Sequence, residues 1–188
     1  TLHEMCQMGE GANAGAVRKL LDSYGLDVEW VPVNEAFRSI CTDPKNPFDE
    51  TFPVGVQEFI DKMEEAVPGS RESMTTVMEL GRMICDGVDW LAAHENEPGG
   101  LAKIEMMIKY HDLMKVVPVP TDTMLRKIGV PDKAREIYES YWDYVGVDST
   151  LMSFAVYNFM TYTYLTRKPY ICKNRSHEIS MAFDTAIR

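Results

Sequence analysis

The chain has 188 residues, 45% hydrophobic and 26% charged, with 29 acidic against 19 basic side chains and a net charge of −10. This composition excludes a disordered chain, a collagen and a coiled-coil rod, and the length suits one domain that buries roughly 70% of its unfolded surface. A polyanion is repelled by the average field, so nucleic acid is not expected as a partner.

In chain order, Val17, Leu20, Leu21 and Tyr24 recur at helical spacing. They predict a helix over 12–25 that Asn13 caps and Gly25 stops. The period then changes to two: Leu26, Val28 and Trp30 alternate with Asp27, Glu29 and Val31, Phe37–Cys41 follows a turn, and Phe48, Glu50 and Phe52 follow the Asp43–Pro47 turn cluster. Residues 26–53 therefore read as a small antiparallel meander. From 56 onward the pattern is helical. Val56, Phe59, Ile60 and Met63 make one stripe, and Met74, Val77, Met78, Ile84, Cys85, Val88 and Leu91 a longer one. A third helix covers about 101–116. Thr121 caps a short one ended by Gly129, and Pro131 opens another with Ala134, Ile137, Tyr138, Tyr141 and Trp142 on its buried face. The expected fold is α+β: about seven helices over 56–188 and the N-terminal stretch, with one small sheet at 26–53, in a single domain. The sequence opens without an initiator Met or signal-like start and breaks off inside a helical pattern at Arg188. It is expected to be a piece of a longer protein.

Cys6, Cys41, Cys85 and Cys172 are dispersed, which favours a reducing, cytoplasmic setting over a disulfide scaffold. His3, His94, His111 and His177 have no zinc-ligand spacing, so no metal is expected. No Gly-x-Ser-x-Gly elbow supports serine hydrolysis.

Residues 149–166 contain no charge, yet seven of the eighteen are Ser, Thr or Asn, too polar for a lipid-facing span. On a helix, Phe154, Tyr157, Thr161 and Tyr164 share one side. A helix apolar all round is a central core helix; alternatively this aromatic side with its hydroxyls lines a pocket for an apolar ligand. The thirteen methionines suit both readings. Val116–Pro120 with Met124-Leu125 offers an apolar lip for peripheral contact with a membrane; the alternative is a packed connection between helices.

Gly9-Glu10-Gly11-Ala12-Asn13-Ala14 satisfies Gly-x-Gly-x-x-Gly/Ala before a helix, and Glu29 follows near the distance of a ribose-binding acid. Against a dinucleotide site, Thr1–Met8 lacks a β-branched apolar run, Glu10 puts a carboxylate in the loop, and no alternating strands and helices follow to build a parallel sheet.

The C-terminal stretch carries a resemblance. Tyr144-Val-Gly-Val-Asp-Ser, a long apolar helix, then Pro169-Tyr-Ile-Cys-Lys-Asn-Arg-Ser-His-Glu-Ile-Ser-Met-Ala-Phe and a further helix resemble the phytoene desaturase and carotenoid isomerase-like flavoproteins. That family has a Tyr-x-Gly-x-Pro segment before one helix and a Tyr-Pro-x-Gly-Gly-Ser turn before the next. Asp22-Ser-Tyr-Gly-Leu-Asp-Val-Glu-Trp-Val-Pro-Val is similar to the family's entry into its substrate-side sheet, and Thr1-Leu2-His3 to the passage from the flavin domain. Here Asn174-Arg175 stand for the glycine pair, and Cys172 for the proline. The resemblance implies the interior substrate domain of an FAD-dependent oxidoreductase acting on an apolar isoprenoid or lipid-like substrate, silent alone, with FAD held by the remainder of the parent chain. It implies His3 and the turn Lys173, Asn174, Arg175, Ser176 and His177 as the edge facing the flavin; Ser176 also reads as a helix N-cap. Phe154, Tyr157, Thr161 and Tyr164 are then the substrate wall. Two other readings stay open: a stand-alone helical ligand-binding or protein-interaction module, and a nucleotide unit built on Gly9–Ala14.

Overall fold

A computed structural model of the chain describes residues 8–11, 14–94, 99–141 and 145–187. Among them are nine helices and four short strands, an α+β fold that is mostly helical. In order these are α1 (Ala16–Ser23), β1 (Trp30–Pro32), β2 (Glu35–Cys41), β3 (Phe48–Pro53), α2 (Val56–Ala66), α3 (Arg71–Ala93), α4 (Gly100–Lys109), α5 (His111–Val116), α6 (Thr121–Ile128), α7 (Asp132–Glu139), α8 (Phe154–Thr166), β4 (Tyr170–Cys172) and α9 (His177–Ile187).

The expected meander over 26–53 is divided in two. β2 and β3 form an antiparallel hairpin with a bulge between Glu35 and Phe37, whereas β1 pairs antiparallel with β4, from the far end of the chain, in the register Trp30↔Cys172 and Pro32↔Tyr170. The cause is the core each strand serves. Ala36 and Phe52 of the hairpin belong to the main core, while Leu26 and Trp30 pack on a smaller one made of Met8, Leu21 and Tyr170 with Phe183.

The main core lies between α2, α3, α6, α7 and α8. Phe37 stacks on Phe52 and on Tyr141 with centroids 5.2 Å apart in each case, Phe52 meets Phe59 at 5.1 Å, and Tyr138 meets Tyr157 edge-on at 5.4 Å. This run of rings ties the hairpin to α2, α7 and α8, in the offset and edge geometries that aromatic quadrupoles favour. Helix α8 seats on α3 where Gly81 removes the side chain: a Cβ there would stand 2.8 Å from the Cβ of Tyr162. A second close approach, at Gly87, admits Leu113 and Tyr110.

Several helix bounds differ from the periodic pattern. The helix expected over 101–116 breaks at Tyr110, which leaves helical dihedrals, buries its ring and donates its hydroxyl to the carbonyl of Asp86 at 3.2 Å. Thr121 lies inside α6, not at its cap, because its hydroxyl is turned to the carbonyl of Met152 at 3.0 Å. Residues 149–153 form a turn before α8 rather than its first helical residues. In α1 only Leu21 of the expected stripe is buried; Val17, Leu20 and Tyr24 are exposed. Asn13 and Trp142 lie outside the described residues. The lip expected at 116–125 is mostly packed, with Val116, Met124 and Leu125 buried and Val117 exposed. Among the described residues no helix is long and apolar enough to cross a membrane.

Candidate functional site

The ribbon of β1 and β4 ends in the turn that carries Lys173–His177. Arg175 N–H donates to the carbonyl of Cys172 at 3.1 Å, closing the turn, and Arg175 itself sits at φ 72°. That left-handed conformation suits glycine and costs a residue with a Cβ roughly 1–2 kcal/mol. Lys168, just before β4, is the other described non-glycine residue at positive φ (34°).

Glu178, in the first turn of α9, holds the arrangement together. Its carboxylate accepts the Asn174 N–H at 3.1 Å and the Glu29 N–H at 3.3 Å, so one side chain bridges the turn to β1. These bonds, the Asn174 N–H foremost, hold its carboxyl below the usual range. Ser176, expected to cap α9, is half-buried, and it is the Glu178 carboxylate that accepts the Asn174 N–H of the turn. Lys173 Nζ meets Glu29 Oε1 at 2.7 Å, and that hydrogen bond raises the lysine's pKa. Lys173, Asn174, Arg175 and His177 are exposed, so these four residues face solvent, with the Lys173 charge matched by Glu29. His3 lies outside the described residues.

The loop at Gly9–Gly11 adjoins the same ribbon. Gly9 and Gly11 take φ of 54° and 57°, and the Gly9 N–H donates to the carbonyl of Lys168 at 3.3 Å. A cleft of about 610 Å³ opens beside it, between Gly15 at the N-cap of α1, Lys19, Asp89 and Arg167. A smaller one of about 200 Å³ shares Arg167 and runs to Glu10, Lys168 and Tyr170. Arg167 Nη2 stands 3.3 Å from Asp89, so much of the local charge is already matched. These are polar clefts, poor company for an apolar ligand. The strand that follows α1 pairs antiparallel with β4, and the Glu29 carboxylate is engaged by Lys173, so a parallel nucleotide-binding unit is not formed among the described residues.

Phe154, Tyr157, Thr161 and Tyr164 are all buried, in the main core. Tyr157 donates its hydroxyl to the carbonyl of Tyr138 at 2.5 Å, and Thr161 donates to the carbonyl of Tyr157 at 3.0 Å. Beside them Asn158 is fully buried and doubly used: its Oδ1 accepts from the Tyr138 hydroxyl at 2.9 Å and its Nδ2 donates to the carbonyl of Val77 at 2.8 Å. Burial pushes the Tyr138 and Tyr157 phenols up, so both stay neutral donors. Thus the structure brings the turn residues together at one surface and the four α8 residues together in the core. None of the four lines the clefts named above.

Glu29 and Glu178 were not legible as partners of the turn, since 149 residues separate the two ends of one hydrogen bond. Among the described residues no group of three or more His, Cys, Asp or Glu side chains gathers as metal ligands. Burial pushes the Cys85 thiol up to about 12, so it is a core side chain and not a thiolate nucleophile. No protein-family model matches the chain, and no curated protein matches it at a significant level.

Proposed function

We propose that the chain is the substrate-binding domain of an FAD-dependent oxidoreductase of the phytoene dehydrogenase kind, with the flavin held by the remainder of the parent chain. One observation carries the reading. The two segments that bear the family resemblance, Asp22–Val33 and Pro169–Phe183, are paired as β1 and β4, and the turn between β4 and α9 adopts a left-handed conformation where the family has glycine. Two motifs that are separately weak thus fall on one ribbon.

The surface of this end of the molecule is in keeping with a further body beside it. Val17, Leu20 and Tyr24 of α1, Val31 and Ile171 of the ribbon, and Met181 and Ile187 of α9 are all exposed. Large apolar side chains left exposed on neighbouring elements are in keeping with an interaction site. The flavin, when bound by the parent, supplies the two-electron step of hydride exchange. The residues of this chain do the rest: Arg175 and the Glu29-paired Lys173 stand at the edge of the turn, and the exposed apolar side chains of this end give an isoprenoid or lipid-like molecule a surface to lie against. The chain alone is expected to be inactive.

The test is spectroscopic. The parent protein, expressed with the coding sequence that flanks this chain, is expected to purify yellow with a flavin absorption spectrum, while FAD titrated into the 188-residue chain gives no saturable signal. A parent that is colourless and takes up no FAD overturns the proposal. Saturable FAD binding by the chain alone favours a nucleotide site at Gly9–Ala14. The packed surroundings of Tyr157 favour a second reading, a stand-alone helical interaction module, which predicts the colourless result.

A further inference from the structure

We draw no further inference here: the strongest candidate, the polar cleft between Gly15 at the N-cap of α1, Lys19, Asp89 and Arg167, sets one helix N-terminus beside a guanidinium that Asp89 already meets at 3.3 Å, and nothing else among the described residues points to a ligand there.

Discussion

Replacing Gly81 by alanine tests the contact on which the helical body depends. Alanine in a helix interior is favoured over glycine by about 1 kcal/mol, so propensity alone predicts a more stable protein. The structure predicts the reverse. A Cβ at position 81 would lie 2.8 Å from Tyr162 Cβ and 2.9 Å from its Cγ and Cδ2. Tyr162 Cβ moves only with the backbone of α8, so no rotamer relieves the overlap and the two helices must separate. Overpacking costs about 1–3 kcal/mol, and an overlap that only a backbone shift relieves takes the upper part of that range, about 2–3 kcal/mol; with the propensity gain of about 1 kcal/mol subtracted, Gly81→Ala is expected to destabilise by about 1–2 kcal/mol. For a chain of this length that lowers Tm by roughly 2–8 °C. Gly87→Ala is the control: its closest neighbour is Leu113 Cδ2 at 2.6 Å, the end of a side chain that can turn away, so its Tm should stay near the native value. Calorimetry or urea unfolding followed by circular dichroism reads both variants. A Gly81→Ala protein as stable as native, or more so, refutes the seating of α8 on α3.

Asn158→Ala removes two buried hydrogen bonds and takes the acceptor from the Tyr138 hydroxyl, and a loss of about 2–4 kcal/mol in urea unfolding is expected, against about 1 kcal/mol for Tyr157→Phe. Arg175→Gly relieves a left-handed residue at the expense of unfolded-state entropy, and a net gain of about 0.5–1 kcal/mol in thermal melting is expected; a loss contradicts the turn geometry. Two carboxylates set opposite pH dependences. The Glu139 carboxyl is raised by burial and by Asp122, so the folded state holds its proton longer than the unfolded one, and stability falls as pH rises from its ordinary 4.5 towards the folded value. Glu139→Gln should therefore stabilise at neutral pH and match native in acid. The Glu178 carboxyl is lowered by the Asn174 N–H, so its contribution is present above 4.5 and lost as pH falls through the folded value. Glu178→Gln should destabilise at neutral pH, with the gap closing in acid.

Much of this architecture could be read in advance where one period governs one segment. Met74, Val77, Met78, Ile84 and Cys85 are all buried along α3, and the uncharged run at 154–166 is a core helix. What periodicity does not carry is partnership. The alternation of Leu26, Val28 and Trp30 looks local, yet β1 pairs with residues 170–172, because its side chains serve a second core that needs Tyr170. Glu178 is a surface acid by its neighbours in sequence and a bridge by its neighbours in space. The pairing of Asn158 with Tyr138 and Val77 could not be foreseen from composition, since a buried amide becomes tolerable only once both its groups are satisfied.

The role proposed for the ribbon and its turn is tested most directly by the midpoint potential of the flavin in the parent protein. Positive charge near a flavin favours its anionic reduced form, so Lys173→Gln and Arg175→Gln are each expected to move the potential to more negative values, while Ile104→Asp on α4 leaves it in place. A potential indifferent to both turn substitutions contradicts the account.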